Sequence, residues 1–217
     1  LYTAIVYLEP FDWRNQRAFG YDMWSEPVRH DAMARAWEED QAALSGQVRL
    51  LQETDEAVQA GFLIYLPVYR PGLPHDTPAE RQANLLGWAY SPLRMTDLMQ
   101  SFLQRHFPDL AARLAIEVFD GTVIAPAAKM FESTPGSDPT AALFQATDRL
   151  GLSGHPWTLR VHSLPAFDRQ VGQLTDKDWI LLGAGSALSV SLALLAWILI
   201  RTYRQMTEAL HQQARDH

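Results

Sequence analysis

The chain is 217 residues long, 47% apolar, free of cysteine and net −7 in charge, totals that fit one or two acidic domains. The missing thiols exclude thiol nucleophiles, thiolate zinc sites, iron–sulfur clusters and redox pairs. The acidic balance argues against nucleic acid, which favours a basic face.

Residues 2–8, YTAIVYL, are β-branched and aromatic and end at Glu9-Pro10, which predicts a strand with a stop. Beyond a polar loop, Ser25-Glu26-Pro27 has the pattern of an N-cap followed by acid and proline in a first helical turn. Val28, Ala32, Met33, Ala36 and Trp37 then form one stripe of a helix that runs out near Asp40. Strands are expected over 47–52 and 61–69, across the acidic loop ETDEAVQA, and over 85–90 after the loop PGLPHDTP. Leu93, Leu98, Phe102 and Leu103 suit a helix over 92–107, interrupted by Pro108. Residues 114–124, LAIEVFDGTVI, read as strand, turn at Asp120-Gly121 and strand again. PAAKMFESTPGSDPT reads as loop, and residues 157–163, WTLRVHS, alternate as a strand. The result is an α+β chain with two small α/β units in series.

Residues 179–200, WILLGAGSALSVSLALLAWILI, hold no ionisable side chain. As a helix the run would be about 33 Å long, enough to cross a hydrocarbon core of about 30 Å, so a membrane span is expected and a purely cytosolic protein is excluded. Charge divides around it: residues 1–178 carry 15 Lys and Arg against 23 Asp and Glu, and residues 201–217 are net +1. Arg201 and Arg204 directly after the run place the C-terminus in the cytoplasm, with residues 1–178 outside, in a bacterial periplasm above the inner membrane or an equivalent space. The opening LYTAIVYL has neither initiator Met nor export signal, which predicts an excerpt of a longer protein. Leu199, Tyr203, Met206, Leu210 and Gln213 recur at spacings of four and three, either as the heptad seam of a parallel dimer or as a solvated helix stub.

No dinucleotide, Walker, nucleophile-elbow, zincin or EF-hand pattern occurs, so the sequence implies no catalytic residue, cofactor or metal. No histidine pair sits at i, i+4 on an expected helix, and His30 belongs on an exposed helix face. Glu38-Glu39 and Asp55-Glu56 read as solvated charge. Trp24, Trp37 and Trp88 suit cores, or for Trp88 a pocket wall, whereas Trp179, Trp197 and Tyr203 suit a membrane interface. Asp22 stands apart, three residues before Ser25 among Phe19, Met23 and Trp24. Two readings are open for it: a turn aspartate bonding its own backbone, or a carboxylate at the mouth of an apolar pocket that accepts from a ligand.

The blocks YLEP, GYDMWSEPVRHDAMARA, LSGQVRLLQE, GFLIYLPVYR and LLGWAYSPLRMTDLM, in that order over about residues 2–105, resemble the CHASE domain. That domain is the extracytoplasmic sensory module of bacterial and plant receptor histidine kinases and diguanylate cyclases; residues 106–178 match more loosely. The resemblance implies two PAS-like units in tandem: a membrane-distal ligand-binding unit at 1–91, a connecting helix at 92–112 and a membrane-proximal unit at 113–178. A transmembrane helix at 179–200 and a cytoplasmic signalling-helix stub at 201–217 would follow, in a homodimer with a further N-terminal stalk helix.

The resemblance also implies site residues. In the family's plant cytokinin receptors an aspartate in the block matching GYDM hydrogen-bonds the ligand's ring edge, and Asp22 takes that position. A main-chain contact falls near Leu44, Leu63 and Tyr65 line the pocket wall, and Gly87 lies near its floor. Those receptors have a small threonine on the wall strand where this chain has Tyr65, whose ring would fill space that an adenine derivative needs. The implied function is a ligand-sensing region that relays small-molecule binding to an output domain such as a diguanylate cyclase or histidine kinase. The alternative is a dimerisation or partner-protein module without a small ligand.

Overall fold

The longest apolar strand pattern of the first half, GFLIYLPVY, becomes the middle strand of a three-stranded antiparallel sheet. The computed structural model describes residues 3–54 and 58–172 and the single positions 192, 195, 197 and 201. In it β1 (Ala43–Leu44), β2 (Gly61–Tyr69) and β3 (Leu85–Arg94) lie side by side in that order. Opposed residues share a face: Leu63 with Pro92, Tyr65 with Tyr90 and Pro67 with Trp88 on one, Ile64 with Ser91 and Val68 with Gly87 on the other.

Helix α1 (Pro27–Glu39) covers the first face, burying Ala32, Met33 and Ala36 with Leu63 and Tyr65. Its N-cap is Glu26, whose carboxylate accepts from the Val28 and Arg29 N–H groups, and Asp40 ends it in the left-handed conformation at φ 53°. The cap falls one residue after the expected Ser25 because that hydroxyl is used elsewhere, donating to the Asp22 carbonyl at 2.6 Å.

Two further helices follow, α2 (Pro78–Asn84) and α3 (Met95–His106). The second sheet contains β4 (Leu114–Asp120), β5 (Lys129–Glu132), β6 (Gln145–Leu152) and β7 (His155–Ser163), all antiparallel in the order β5-β4-β7-β6. The β6–β7 hairpin turns through Ser153-Gly154, both at positive φ, as the right-handed twist of a two-residue hairpin demands. A short helix, α4 (Pro165–Gly172), comes next.

Several expected boundaries move. The N-terminal strand shrinks to a bridge between Ala4 and Asp22, since Val6 and Tyr7 stand in solvent without a partner face. The strand over 47–52 reduces to the Val48–Gly61 bridge, with the true edge strand four residues earlier at Ala43–Leu44. Pro92 and Leu93 extend β3 instead of opening the following helix. After Gly121 the chain does not return at once; the strand pairing with β4 is KMFE, within the stretch expected to be loop.

Residues Leu1–Asp168, with both sheets, form one compact unit, and Arg169–His217 another. In the latter Leu192, Leu195, Trp197 and Arg201 are helical, and the Arg201 guanidinium lies 5.0 Å from the Trp197 ring centroid. Apart from these positions the expected span at 179–200 and the heptad seam at 199–213 lie outside the described residues. Among the described residues no helix is long and apolar enough to cross a membrane.

Candidate functional site

The face of the first sheet beneath α1 gathers several of the residues singled out by the sequence. Leu63 and Tyr65, two apart on β2, both point into it and are 2% and 1% exposed. Ser45, fully buried, sets their height: its Oγ accepts the Leu63 N–H at 2.9 Å while its own N–H donates to the Leu63 carbonyl at 2.8 Å. The Tyr65 hydroxyl donates to the Met23 sulfur at 3.5 Å, and its ring centroid lies 6.1 Å from that of Tyr90. Trp88 anchors the opposite margin, donating to the Met33 carbonyl at 3.0 Å, with Trp24 against it and the His30 ring beyond, tilted 36° to that of Trp24.

Arg29 is the residue that the sequence reading missed. On α1 it is 4% exposed, yet its Nη2 donates to the Arg49 carbonyl at 3.0 Å, its Nη1 lies 3.4 Å from Glu26, and its guanidinium sits 5.4 Å from the Tyr21 ring centroid. Among the described residues its Nε and the Tyr90 hydroxyl are both buried without a hydrogen-bond partner. Burial pushes the Tyr65 phenol well above its usual range and Tyr90 up to about 12, each opposed by the positive charge of Arg29. In sequence Arg29 is four residues past the expected cap Ser25, off the apolar stripe of the helix, and lies within the block GYDMWSEPVRHDAMARA.

Asp22 lies at one end of this face, half-buried, as the N-cap of the 3₁₀ turn Met23–Ser25. Its Oδ1 accepts from the Thr3 N–H at 3.0 Å, the Thr3 hydroxyl at 2.9 Å and the Trp24 N–H at 3.1 Å. The Thr3 N–H is the main influence holding the carboxyl below its ordinary value; partial burial opposes this, and the Thr3 hydroxyl and Trp24 N–H add to it. The three bonds tie the N-terminal segment to the 3₁₀ turn that precedes α1 and converge on one oxygen.

Leu44 and Gly87 belong to the reverse face of the sheet, since they oppose Ile64 and Val68. The Leu44 N–H donates to the Ser153 carbonyl at 2.9 Å, and its carbonyl accepts from Arg35 Nη2 at 2.7 Å. That segment is therefore a seam between the sheets. Next along it, the Gln47 N–H donates to Asp120 Oδ2 at 2.8 Å, while Asp120 Oδ1 is 2.6 Å from His155 Nε2. Gly46 allows this approach, because a Cβ there would stand 3.1 Å from Asp120 Oδ2 and 3.2 Å from Val28. Burial tends to raise the Asp120 pKa, but the His155 and Gln47 bonds outweigh it and hold the carboxyl below the usual range. Phe62 meets Trp157 edge-on across the same seam, centroids 5.0 Å apart.

The sequence profile of the CHASE domain matches residues 1–131, well over half of the chain. The chain belongs to the CHASE domain family. CHASE is an extracellular sensory domain of receptors and is not catalytic. The match takes in the whole first sheet of this CHASE domain and runs through β4 into β5. No curated protein matches the chain.

Proposed function

We propose that this CHASE chain is the ligand-sensing region of a transmembrane receptor, with each sheet and its helices acting as a PAS-like unit. A small molecule binds the α1 face of the first sheet, next to Asp22, Leu63 and Tyr65; Leu44 and Gly87, on the reverse face, lie outside this site. The second sheet passes the change to the span at 179–200 and on to a cytoplasmic output such as a diguanylate cyclase or histidine kinase. The observation that carries this reading is the pair of buried, unpartnered polar atoms, Arg29 Nε and the Tyr90 hydroxyl, on the face marked by the sequence blocks. Buried donors are rarely left unmet, and a ligand with a hydrogen-bond acceptor would satisfy both.

Movement of α1 or of the segment after it would reach the second sheet through Leu44–Ser153 and Gln47–Asp120. Such coupling requires the ligand to bind two arrangements with different affinities.

The test is thermal shift and calorimetry on the 217-residue chain in detergent micelles, against purines, amino acids and short peptides. Tyr90→Phe should weaken binding about tenfold while leaving the unliganded Tm unchanged or higher, because it deletes a buried hydroxyl without a partner. Asp22→Ala should weaken binding too. Ligand affinity indifferent to both changes would remove the site from this face.

A second reading, a dimerisation or partner-protein module without a small ligand, is favoured by one feature. Val6, Tyr7, Phe11, Trp13 and Phe19 are all more than half exposed on one short stretch, more apolar surface than a solvated loop needs.

A further inference from the structure

A cleft of about 840 Å³ opens at the seam between the two sheets, away from the α1 face. One wall is the segment around Gln47, Val48 and Arg49 with Val58 and Ala60; the other is Asp120 and the chain from Ala125 to Met130. The volume suits a small metabolite. Its lining is apolar at Val48, Ala60, Ala127 and Met130 and charged at Arg49, Asp120 and Lys129.

The charges have different standing. Lys129 is committed to its own sheet, 3.0 Å from Glu117 and paired with Glu132. Asp120 uses one lone pair on each oxygen, for His155 and for the Gln47 N–H, and keeps its side chain 23% exposed at the cleft. Arg49 is exposed on the facing wall, and a guanidinium has donors for more than one acceptor. Gln47, whose N–H touches Asp120, is two residues, at most about 7 Å of chain, from Arg49, so both charges border the same stretch of the cleft.

We infer that this cleft is a second ligand site, selective for a ligand that carries an α-amino-acid zwitterion, the free amino acid being its smallest form. The ammonium group would meet Asp120, the carboxylate Arg49, and an aliphatic side chain the Val48, Ala60 and Met130 surface. A ligand held there touches the second sheet at Asp120, Lys129 and Met130 and the segments that flank β1 and β2, so it would set how firmly these are joined.

The experiment is calorimetry on the 217-residue chain in detergent micelles with L-leucine and L-methionine as probes, and with N-acetyl-L-leucine and L-leucinamide as analogues lacking one charge. Both zwitterions should bind, and both analogues should bind at least about tenfold more weakly. Ala127→Trp fills the cleft from an exposed position and should abolish the heat of binding. Ala111→Trp, before the far end of β4, should leave it intact. The inference falls if neither zwitterion binds at about 10 mM, a concentration that detects even millimolar affinity. It falls equally if an analogue binds as well as its parent, or if Ala127→Trp still binds. Loss of L-leucine binding in Tyr90→Phe but not in Ala127→Trp would assign the ligand to the α1 face and overturn the second site alone.

Discussion

The two sheets weight burial differently, although each carries a buried ion pair: at the margin of the first, Arg94 Nε meets Glu53 at 2.6 Å. Beneath α1 the first sheet packs Leu63 and Tyr65 against alanines and methionines, with Arg29 entering from the helix. The second sheet has an apolar side of Ile116, Val118, Leu159 and Val161, and on its other side a buried charge network. Glu117, 4% exposed, accepts from Arg160 Nε at 2.6 Å and Lys129 Nζ at 3.0 Å, while His162, 1% exposed, lies 3.9 Å from it and 3.0 Å from the Ser137 hydroxyl. Methionines and alanines repack around a changed shape at small cost. Ion pairs in one fixed geometry do not, because a displaced partner leaves an uncompensated buried charge. By this chemistry the α1 face of the first sheet should be the more adaptable region and the Glu117 side of the second the more fixed.

Glu117→Gln is the strongest way to break that comparison. The side chain keeps its size, but Arg160 and Lys129 lose their shared anion, and a loss of about 3–5 kcal/mol is expected by chemical denaturation. A loss below about 1 kcal/mol would show that the network is decorative. The same pair predicts a pH dependence. Burial tends to raise the Glu117 pKa, but Arg160 and Lys129 outweigh it, so the folded value lies below the ordinary one. The stabilisation is therefore complete above the unfolded pKa of about 4.3 and is lost as pH falls through the lower folded value. Tm should drop less steeply below about pH 4 in Glu117→Gln than in the parent chain.

Gly61→Ala tests where the first sheet stops being adaptable. A Cβ on Gly61 would come within 2.9 Å of Leu50 Cδ2 and closer still to Cγ, and Leu50 is itself 5% exposed in the core. The clash sits where the Val48–Gly61 bridge closes the sheet edge, so a cost of about 1–3 kcal/mol is expected in thermal or denaturant unfolding. A neutral outcome would extend the adaptable region to the seam.

The legible parts of this fold were those whose pattern is local. β2 was readable to the residue because a nine-residue run rich in β-branched, aromatic and aliphatic residues lies between polar stretches, and α1 because proline, an acid and a four-three stripe coincide. The helix α2 carries a local signal too, since Thr77 and Glu80 form a reciprocal capping box around Pro78, but the stretch rich in turn residues masks it. The seam was not legible, because Gln47 and Asp120 are 73 positions apart and nothing in either neighbourhood announces the other. Leu63 and Tyr65 were named from a family likeness, and strand alternation then puts them on one face. That Leu44 and Gly87 lie on the reverse face depends on the register between strands, which only pairing reveals.

Leu63→Met is the mildest probe and the one that sharpens the contrast most. Leu63 is 2% exposed, as deeply buried as Glu117, and lies in a cluster with Met23, Met33 and Tyr65. Burial alone would make both positions equally sensitive to a volume-preserving exchange. If adaptability is a property of the first sheet, the longer, unbranched thioether should settle among the other methionines at a cost below about 1.5 kcal/mol. The measurement is the denaturant midpoint at constant m-value, with Glu117→Gln run beside it. Equal losses in the two variants would mean that depth of burial governs this fold, and the division into an adaptable and a fixed sheet would fail; a several-fold difference would locate that division in the chemistry of the buried groups.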